Sequence, residues 1–521
     1  MGLKNAHICI KNSLKEHFSQ KYQERPFIDK AIDFLEENKS CVITAPTGYG
    51  KTALSLTISL NELKNGYKLI LSYPLRTLIE KQERVFKRYF GDKVGVRYMG
   101  KSESPYFVHP ITLTTIDTLS LTALGISPED TQKVFKEALG VGGSLGHYMF
   151  SWASVYTSSM IFDEVHLLYD SYKSLSFLLA LIKLQKEIFE NRIVLMSATM
   201  PSKFLEMFRK LGLSILNFEE NDDEGFSKER KDKEYTIDIC KISANNKYDF
   251  IRTKLNDYKR ALIIFNTIKD AVQFYKKFFY GRKDAVLLHS RFTLEDRKRK
   301  AEELDNASII ISTQAIEAGI DISSDLLITE LAPPNSLVQR FGRFLRHQEK
   351  KGKAFIWYEV DENGEPNGKG VYSKDLLTRT LNYLENKKDN INLHLNYQDF
   401  LDKVYIDELF GEHSFVFVDE IIEKVTNIID PTPWSLDFLI QNEGSLVRDS
   451  SLFLLYTKDG VEVPVDFTFL KRYCSKAISK KGLEKDPPKN EKQAFLMTLE
   501  GYNFVTTLSY DKEVGLVEEY I

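Results

Sequence analysis

An α/β fold of two tandem, doubly wound parallel sheets followed by a smaller mixed domain is what this sequence predicts, and three features predict it. Short apolar runs of strand length alternate with helical stretches from about residue 25 to residue 350, the pattern of parallel sheets covered on both faces. One of those runs, Cys41-Val-Ile-Thr44, passes through a glycine-containing turn into the helix-like stretch Ala53-Leu-Ser-Leu-Thr-Ile-Ser-Leu60. A dense charge run at 219–234 separates a first series of such units from a second.

The turn after the first strand is Ala45-Pro-Thr-Gly-Tyr-Gly-Lys-Thr52. Strand, glycine turn and helix start together bring backbone N–H groups and the positive helix end onto one anion, the requirement of a phosphate-binding loop. Thr47, Gly48 and Gly50 shape that loop, the glycines letting the backbone approach. Lys51 reaches terminal phosphates and Thr52 can ligate magnesium, so ATP with Mg2+ is the expected cofactor pair. The first position is Ala45, where the motif has Gly.

Further along, Leu71-Ser-Tyr-Pro-Leu-Arg-Thr-Leu78 and Thr114-Thr-Ile-Asp-Thr-Leu119 each follow a strand. Ser158-Ser-Met-Ile-Phe-Asp-Glu-Val-His166 reads as a buried strand whose end carries Asp163 and Glu164. Open α/β sheets bind ligands at that carboxyl edge. Asp163 suits a magnesium role and Glu164 the base that orients an attacking water. Arg192-Ile-Val-Leu-Met-Ser-Ala-Thr-Met-Pro201 is another strand, ending in Ser197-Ala-Thr199.

The charge run at 219–234 reads as a solvated linker or hinge, or as a surface loop within one domain. Taken as a linker, it divides the chain into 1–218, 235–385 and an accessory C-terminal domain, 386–521. The second series opens on the strand Ala261-Leu-Ile-Ile-Phe265. Ala285-Val-Leu-Leu-His-Ser-Arg-Phe292, Ser312-Thr-Gln-Ala-Ile-Glu-Ala-Gly-Ile-Asp321 and Gln339-Arg-Phe-Gly-Arg-Phe-Leu-Arg346 complete it. In the last of these, Arg340, Arg343 and Arg346 recur at a spacing that makes them neighbours on a helix. Crowded guanidiniums repel unless a polyanion faces them, and a nucleoside triphosphate is such a polyanion. Arg343 and Arg346 are therefore expected to supply charge to the phosphates during hydrolysis. Gln339 would contact the nucleotide or the water, and Gly319 and Asp321 would line the same cleft.

Asn363-Gly-Glu-Pro-Asn-Gly-Lys-Gly-Val371 is a glycine-rich turn and not a second phosphate loop, because Gly370 follows Lys369 where Ser or Thr is needed. Residues 376–385 read as a helix and Ser451-Leu-Phe-Leu-Leu-Tyr456 as β-rich; the rest carries no repeat and no catalytic constellation. The basic cluster Ser479-Lys-Lys-Gly482 is either a solvated loop or a nucleic-acid contact.

A net charge of −3 over 521 residues means that nucleic acid would have to bind in a local basic groove rather than across a basic face. The four cysteines form no metal-spaced pair, and Cys41 falls in a buried strand, which suits a reduced, cytoplasmic protein. No targeting signal is apparent, and the longest uncharged apolar run, Phe177-Leu-Leu-Ala-Leu-Ile182, is far short of the ~20 residues of a membrane span. No membrane partner is expected.

The ordered series of segments resembles superfamily two helicases from about residue 25 to residue 350, which implies two RecA-like domains. The spelling Asp-Glu-Val-His, Ser-Ala-Thr-Met-Pro, Leu-Leu-His-Ser-Arg-Phe, Thr-Gln-Ala-Ile-Glu-Ala-Gly-Ile-Asp and Gln-Arg-Phe-Gly-Arg-Phe-Leu-Arg is similar to the helicase of type I CRISPR interference, the Cas-three family. General RNA helicases more often have His-Arg-x-Gly-Arg in the last segment and lack the His-Ser-Arg found here at 289–291. The resemblance implies a DNA-stimulated ATPase that moves 3′-to-5′ on single-stranded DNA and unwinds a target opened by an RNA-guided CRISPR surveillance complex. It places Pro74, Arg76, Thr77, Thr115, Ser290, Arg291 and Thr313 along the sugar-phosphate backbone, and makes Ser197 and Thr199 the link between hydrolysis and movement. Many family members begin with a histidine-aspartate nuclease domain, but this chain contains no His-Asp dipeptide, so the nuclease is expected on a separate subunit. Ile28 stands about where related helicases place an adenine-reading Gln, which leaves base selectivity open. A general RNA helicase and a non-enzymatic assembly subunit are the alternatives; Lys51, Glu164, Arg343 and Arg346 argue against the latter.

Overall fold

In the computed structural model, which describes residues 1–18, 22–169, 171–255, 258–317, 319–387, 391–406, 413–426, 431–448 and 450–518, the early apolar runs become strands. They are β1 (Ser40–Thr44), β2 (Lys68–Tyr73), β3 (Val94–Tyr98), β4 (Lys101–Ser102), β5 (Ile111–Thr115), β6 (Ser158–Phe162), β7 (Ile193–Ser197) and β8 (Ser214–Asn217). One sheet holds them in the order β4-β3-β5-β2-β6-β7-β1-β8. Every pairing is parallel except that of β3 with β4. Strand side chains alternate between faces, so each apolar run serves two cores. Cys41, Ile43, Leu69 and Leu71 pack with Leu54 and Ile58 of the helix Lys51–Lys64. Val42, Ile70, Met160 and Phe162 pack with Leu175 and Leu178 of the helix Tyr172–Lys183.

The second sheet repeats the plan with β9 (Glu234–Lys241), β10 (Ala261–Ile264), β11 (Ala285–Leu288), β12 (Ile309–Ser312), β13 (Leu326–Glu330) and β14 (Lys351–Tyr358). Its order is β11-β12-β10-β13-β14-β9, all parallel. Leu262 and Ile264 face one core and Ala261 and Ile263 the other. Inside this domain Asp270, Glu330 and Glu359 gather their carboxylates. Lys369 binds all three at 2.7, 2.8 and 2.9 Å, and Lys247 binds Asp270 and Glu359.

Two expected boundaries differ. The run 219–234 is not a solvated linker: it folds into a 3₁₀ turn, Glu220–Asp222, and a helix, Glu224–Lys231, before entering β9. One aromatic among the charges decides this, because Phe226 is buried in the core of the first sheet. The segment 386–521, expected as one accessory domain, divides among four cores, with Val514 and Val517 joining the face of the second sheet that holds Ala261 and Ile263. Leu393, Tyr397, Phe400 and Leu401 belong to the second sheet. Val418, Ile421, Leu436 and Leu439 belong to the first, where the helix His413–Thr426 lies against Tyr172–Lys183. The remainder forms a sheet of β15 (Leu452–Tyr456), β16 (Glu462–Asp466), β17 (Cys474–Ser479), β18 (Glu484–Lys485) and β19 (Tyr502–Thr506), ordered β16-β15-β19-β17-β18 over its own small core.

A terminal ribbon, β20 (Tyr510–Asp511) and β21 (Gly515–Leu516), reaches back to the second domain. The Leu516 N–H donates to Arg291 O at 3.0 Å, Tyr510 donates to Asp296 at 2.7 Å, and His289 Nε2 lies 3.0 Å from Val514 O. Among the described residues no helix is long and apolar enough to cross a membrane.

Candidate functional site

Register brings the carboxyl ends of the first sheet side by side: Thr44 lies beside Ser197, Leu195 beside Phe162, and Phe162 beside Ser72. The segments that follow these strands therefore converge on one edge. Gly48 and Gly50 adopt φ of 78° and 100°, a region that side chains other than glycine rarely enter, and the helix starts at Lys51. Lys51 Nζ donates to Ala45 O at 3.3 Å and lies 3.9 Å from Glu164 Oε1. Gln82 donates to Thr52 Oγ1 at 3.1 Å.

Asp163 and Glu164 are held as a strained pair. The Glu164 N–H donates to Asp163 Oδ1 at 2.9 Å, and Glu164 itself sits at φ 54°, a left-handed backbone costly for a non-glycine residue and common at functional sites. Burial, with the adjacent Glu164 charge, pushes the Asp163 carboxyl up. Burial also pushes Glu164 up, but Lys51, His166, Arg343 and Arg346 outweigh it and hold Glu164 below the usual carboxylate range. The last two belong to the second domain, so the field at Glu164 is made by both. His166 Nδ1 pairs with Ser197 Oγ at 3.1 Å, and burial pulls this imidazole down to about 4. Ser197 also donates to Thr199 O at 2.7 Å while its carbonyl accepts from Ala45 N at 3.0 Å. Ser197 and Thr199 thus tie the phosphate loop to His166.

From the second domain, the helix Pro334–Phe341 ends before the expected row of three arginines is complete, with Gly342 as its C-cap. The predicted helical spacing fails there, and the three side chains part. Arg340 is fully buried and turned inward, pairing with Glu317 at 2.8 Å and donating to Thr329 Oγ1, Glu330 O and Asn266 Oδ1. It is a core residue, not part of a cluster facing a polyanion. Arg343 is buried at the cleft on the carbonyls of Ile316 and Glu317, and burial with repulsion from Arg346 draws it down to about 9. Arg346 pairs with Asp321 at 2.8 Å and reaches the phosphate loop, where a β-carbon on Gly48 would lie 3.5 Å from Arg346 Nη2. Thr47 meets Gly342: a β-carbon there would lie 2.7 Å from Thr47 Oγ1. Gly319, expected in the same cleft, instead packs against Thr77 and Leu78 across a neighbouring channel.

That channel encloses about 1090 Å³. Pro74, Arg76 and Thr77 line it from the first domain, Ser290, Arg291, Thr313 and Gly319 from the second, and Arg448, Pro464 and Asp466 from the C-terminal module. Thr115 does not line it; its hydroxyl caps the helix Ile116–Ala123 by accepting from Thr118 N. Burial, with repulsion from Arg297 and Arg448, draws the Arg76 guanidinium down. Arg291 stacks on Phe469 with 3.9 Å to the ring centroid.

Sequence reading missed several lining cations. Lys81 and Arg84 continue the face of Thr77 along the helix Arg76–Phe90, so i, i+4, i+7 spacing could have found them. Arg448 had no local signal; it is held by both oxygens of Asp117. Nor had Tyr397, which donates to Ala198 O at 2.8 Å.

The arrangement can hold a polyphosphate between two domains beside a path for a second polyanion. Buried atoms without a hydrogen-bonding partner, Glu164 Oε2, Gln339 Nε2 and Thr199 Oγ1, fit a bound group that would complete them, such as a nucleoside triphosphate with magnesium. Two family profiles match the chain: one described as DEAD/DEAH box helicase over residues 25–208, and one described as CRISPR-associated nuclease/helicase Cas3, C-terminal, over residues 257–349. A protein of Methanocaldococcus jannaschii, provisionally named CRISPR-associated nuclease/helicase Cas3, is 28% identical over 451 residues, which cover 76% of this chain and 55% of that protein. The chain thus spans about half the length of the curated relatives it matches. Among solved structures, the T. fusca Cas3-ATP crystal structure superposes with a TM-score of 0.61 at 17% identity, covering 97% of this chain and 69% of that one. A chain of a structure titled CRISPR RNA-guided surveillance complex, pre-nicking, superposes at 0.59 and 17%, covering 97% and 71%.

Proposed function

We propose that this chain, a member of the Cas3 family of superfamily two helicases, hydrolyses ATP to move 3′-to-5′ along single-stranded DNA. The observation that carries this reading is the meeting of Lys51, Asp163 and Glu164 from one sheet with Arg343 and Arg346 from the other, beside a channel crowded with guanidiniums. Thr52 and Asp163 would hold magnesium, and ATP would supply the phosphoanhydride whose cleavage drives the cycle. Glu164 takes the proton from the attacking water and orients it. Lys51, Arg343 and Arg346 meet charge developing on the phosphates. Thr47, Gly48 and Gly50 shape the loop, and Asp321 aims Arg346.

Pro74, Arg76, Thr77, Ser290, Arg291 and Thr313 would grip the sugar-phosphate backbone, contacts that position a strand without reading its sequence. Ser197 and Thr199, bonded to the phosphate loop and to His166, would carry the change from the nucleotide to that path. The reading extends to unwinding target DNA held by an RNA-guided CRISPR surveillance complex for a separate histidine-aspartate nuclease subunit in the cytoplasm.

ATP turnover measured with single-stranded DNA, single-stranded RNA or neither, for wild type and Lys51→Ala, tests the core of this. Stimulation by DNA that disappears in the variant is expected. Stimulation by RNA alone would move the assignment to an RNA helicase, and turnover independent of Lys51 would sink the proposed site. Strand displacement from duplexes with a 3′ or a 5′ overhang reads the direction. Co-purification with a surveillance complex and a nuclease reads the partners.

A further inference from the structure

We propose that Arg230, on the helix joining the two sheets, is a third guanidinium contact for the phosphates of a nucleoside triphosphate. The proposal rests on the nucleotide reading of the cleft and adds a residue that lies outside every segment on which that reading was built.

The helix Glu224–Lys231 is fixed beside the phosphate loop by specific contacts. Asp223 caps it by accepting from Phe226 N at 2.9 Å, and Tyr49, inside the loop, donates to the other oxygen of Asp223 at 2.9 Å. Phe226 packs edge-on against Tyr49 with ring centroids 5.0 Å apart. One turn later, Arg230 lays its guanidinium over Phe226, 5.0 Å from the ring centroid. It is thereby aimed at the loop: a β-carbon on Gly48 would lie 3.6 Å from Arg230 Nη2, against 3.5 Å from Arg346 Nη2.

Arg230 is 6% exposed, yet no carboxylate pairs with it among the described residues. Its Nη1 donates to Arg346 O at 3.4 Å, and its Nε has no partner. A buried cation left short of acceptors beside a second cation is costly until an anion arrives. Arg340 shows the contrast, since an equally buried guanidinium there is saturated by Glu317 and three oxygens or carbonyls. Burial, with repulsion from Arg346 and Arg25 opposing the pull of Glu229, draws Arg230 below the usual arginine range.

Position gives the contact a consequence. Lys233, just beyond, donates to His347 O at 2.7 Å and Glu349 O at 2.9 Å, so the joining segment is pinned to the loop that carries Arg346. Because Arg230 stands beside Arg346, it should favour a triphosphate over a diphosphate.

The test is equilibrium titration of fluorescent mant-AMP-PNP and mant-ADP against wild type, Arg230→Ala, Arg230→Lys and Lys51→Ala, with thermal melts of each. Arg230→Ala should weaken mant-AMP-PNP by roughly tenfold or more, as loss of a charge-assisted hydrogen bond does, while mant-ADP changes much less and the melting temperature holds. Arg230→Lys should restore part of the loss. Unchanged mant-AMP-PNP affinity in Arg230→Ala, with binding still lost in Lys51→Ala, would overturn this assignment alone. Equal loss of both nucleotides with a lowered melting temperature and no rescue by Lys would make Arg230 a structural latch and also overturn it. No binding by wild type would overturn the nucleotide reading itself.

Discussion

Arg340 and Arg346 carry the same charge on neighbouring turns of chain, and their surroundings separate them. Arg340→Met leaves Glu317 buried without its cation, which should cost about 3–5 kcal/mol and lower the denaturation midpoint. Arg346→Ala removes a half-exposed pair with Asp321 and a cation at the phosphate loop. Its melting temperature should hold while ATP turnover falls on the order of 10³-fold. For Glu164→Gln, mant-AMP-PNP binding should persist with hydrolysis down by at least ~10²-fold; lost affinity would contradict the role given to Glu164. The phosphate loop and the Asp163-Glu164 pair were legible because strand, turn and functional group are contiguous in sequence. The inward turn of Arg340 was not, because what claims it is Glu317, Thr329 and Asn266, all remote in the chain.

The helix Glu224–Lys231 lies in a run whose composition points to solvent. Phe226 and the helix cap Asp223 decide otherwise, and a single aromatic among many charges is a weak signal in sequence but a strong one in packing. In the second domain the lysine-carboxylate network has the opposite character, since its members are scattered along the chain and meet only through the sheet. Lys369→Met should leave Glu330 without a cation and Asp270 and Glu359 sharing Lys247, and cost several kcal/mol, about 3 or more, read by chemical denaturation. The two cations, with Tyr248 donating to the same oxygen as Lys247, hold Asp270 down at about 2 against the push of burial. A depressed carboxylate supplies stability that is complete above its unfolded value near ~4 and is lost as pH falls toward the folded one. The penalty of Lys369→Met should therefore shrink as denaturation is repeated from about pH 5 downward.

At the scale of the whole chain, the channel is built by three modules, and only two of them announced it. Arg448 enters it from residues that show no motif, oriented by Asp117 on the first domain. Arg448→Ala should weaken single-stranded DNA binding and flatten its dependence on salt by about 0.7 in the log–log slope for each phosphate no longer neutralised, while DNA-independent ATP turnover is kept. A slope identical to wild type would remove Arg448 from the path. The two doubly wound sheets were legible because their strands are contiguous apolar runs with alternating helices. The partition of 386–521 among four cores was not, because it depends on which distant surfaces the later elements cover.

The two domains meet closely at glycines: Gly342 against Thr47 at one seam and Gly319 against Thr77 at the other. One seam belongs to the proposed nucleotide cleft and the other to the proposed strand path, and the second domain supplies both glycines. If the second domain moves as one body, both seams change together. On the proposed reading the fold is, in signalling terms, a coincidence detector, a two-input gate for phosphate and polymer, in which a methyl group at either glycine would crowd the seam it belongs to.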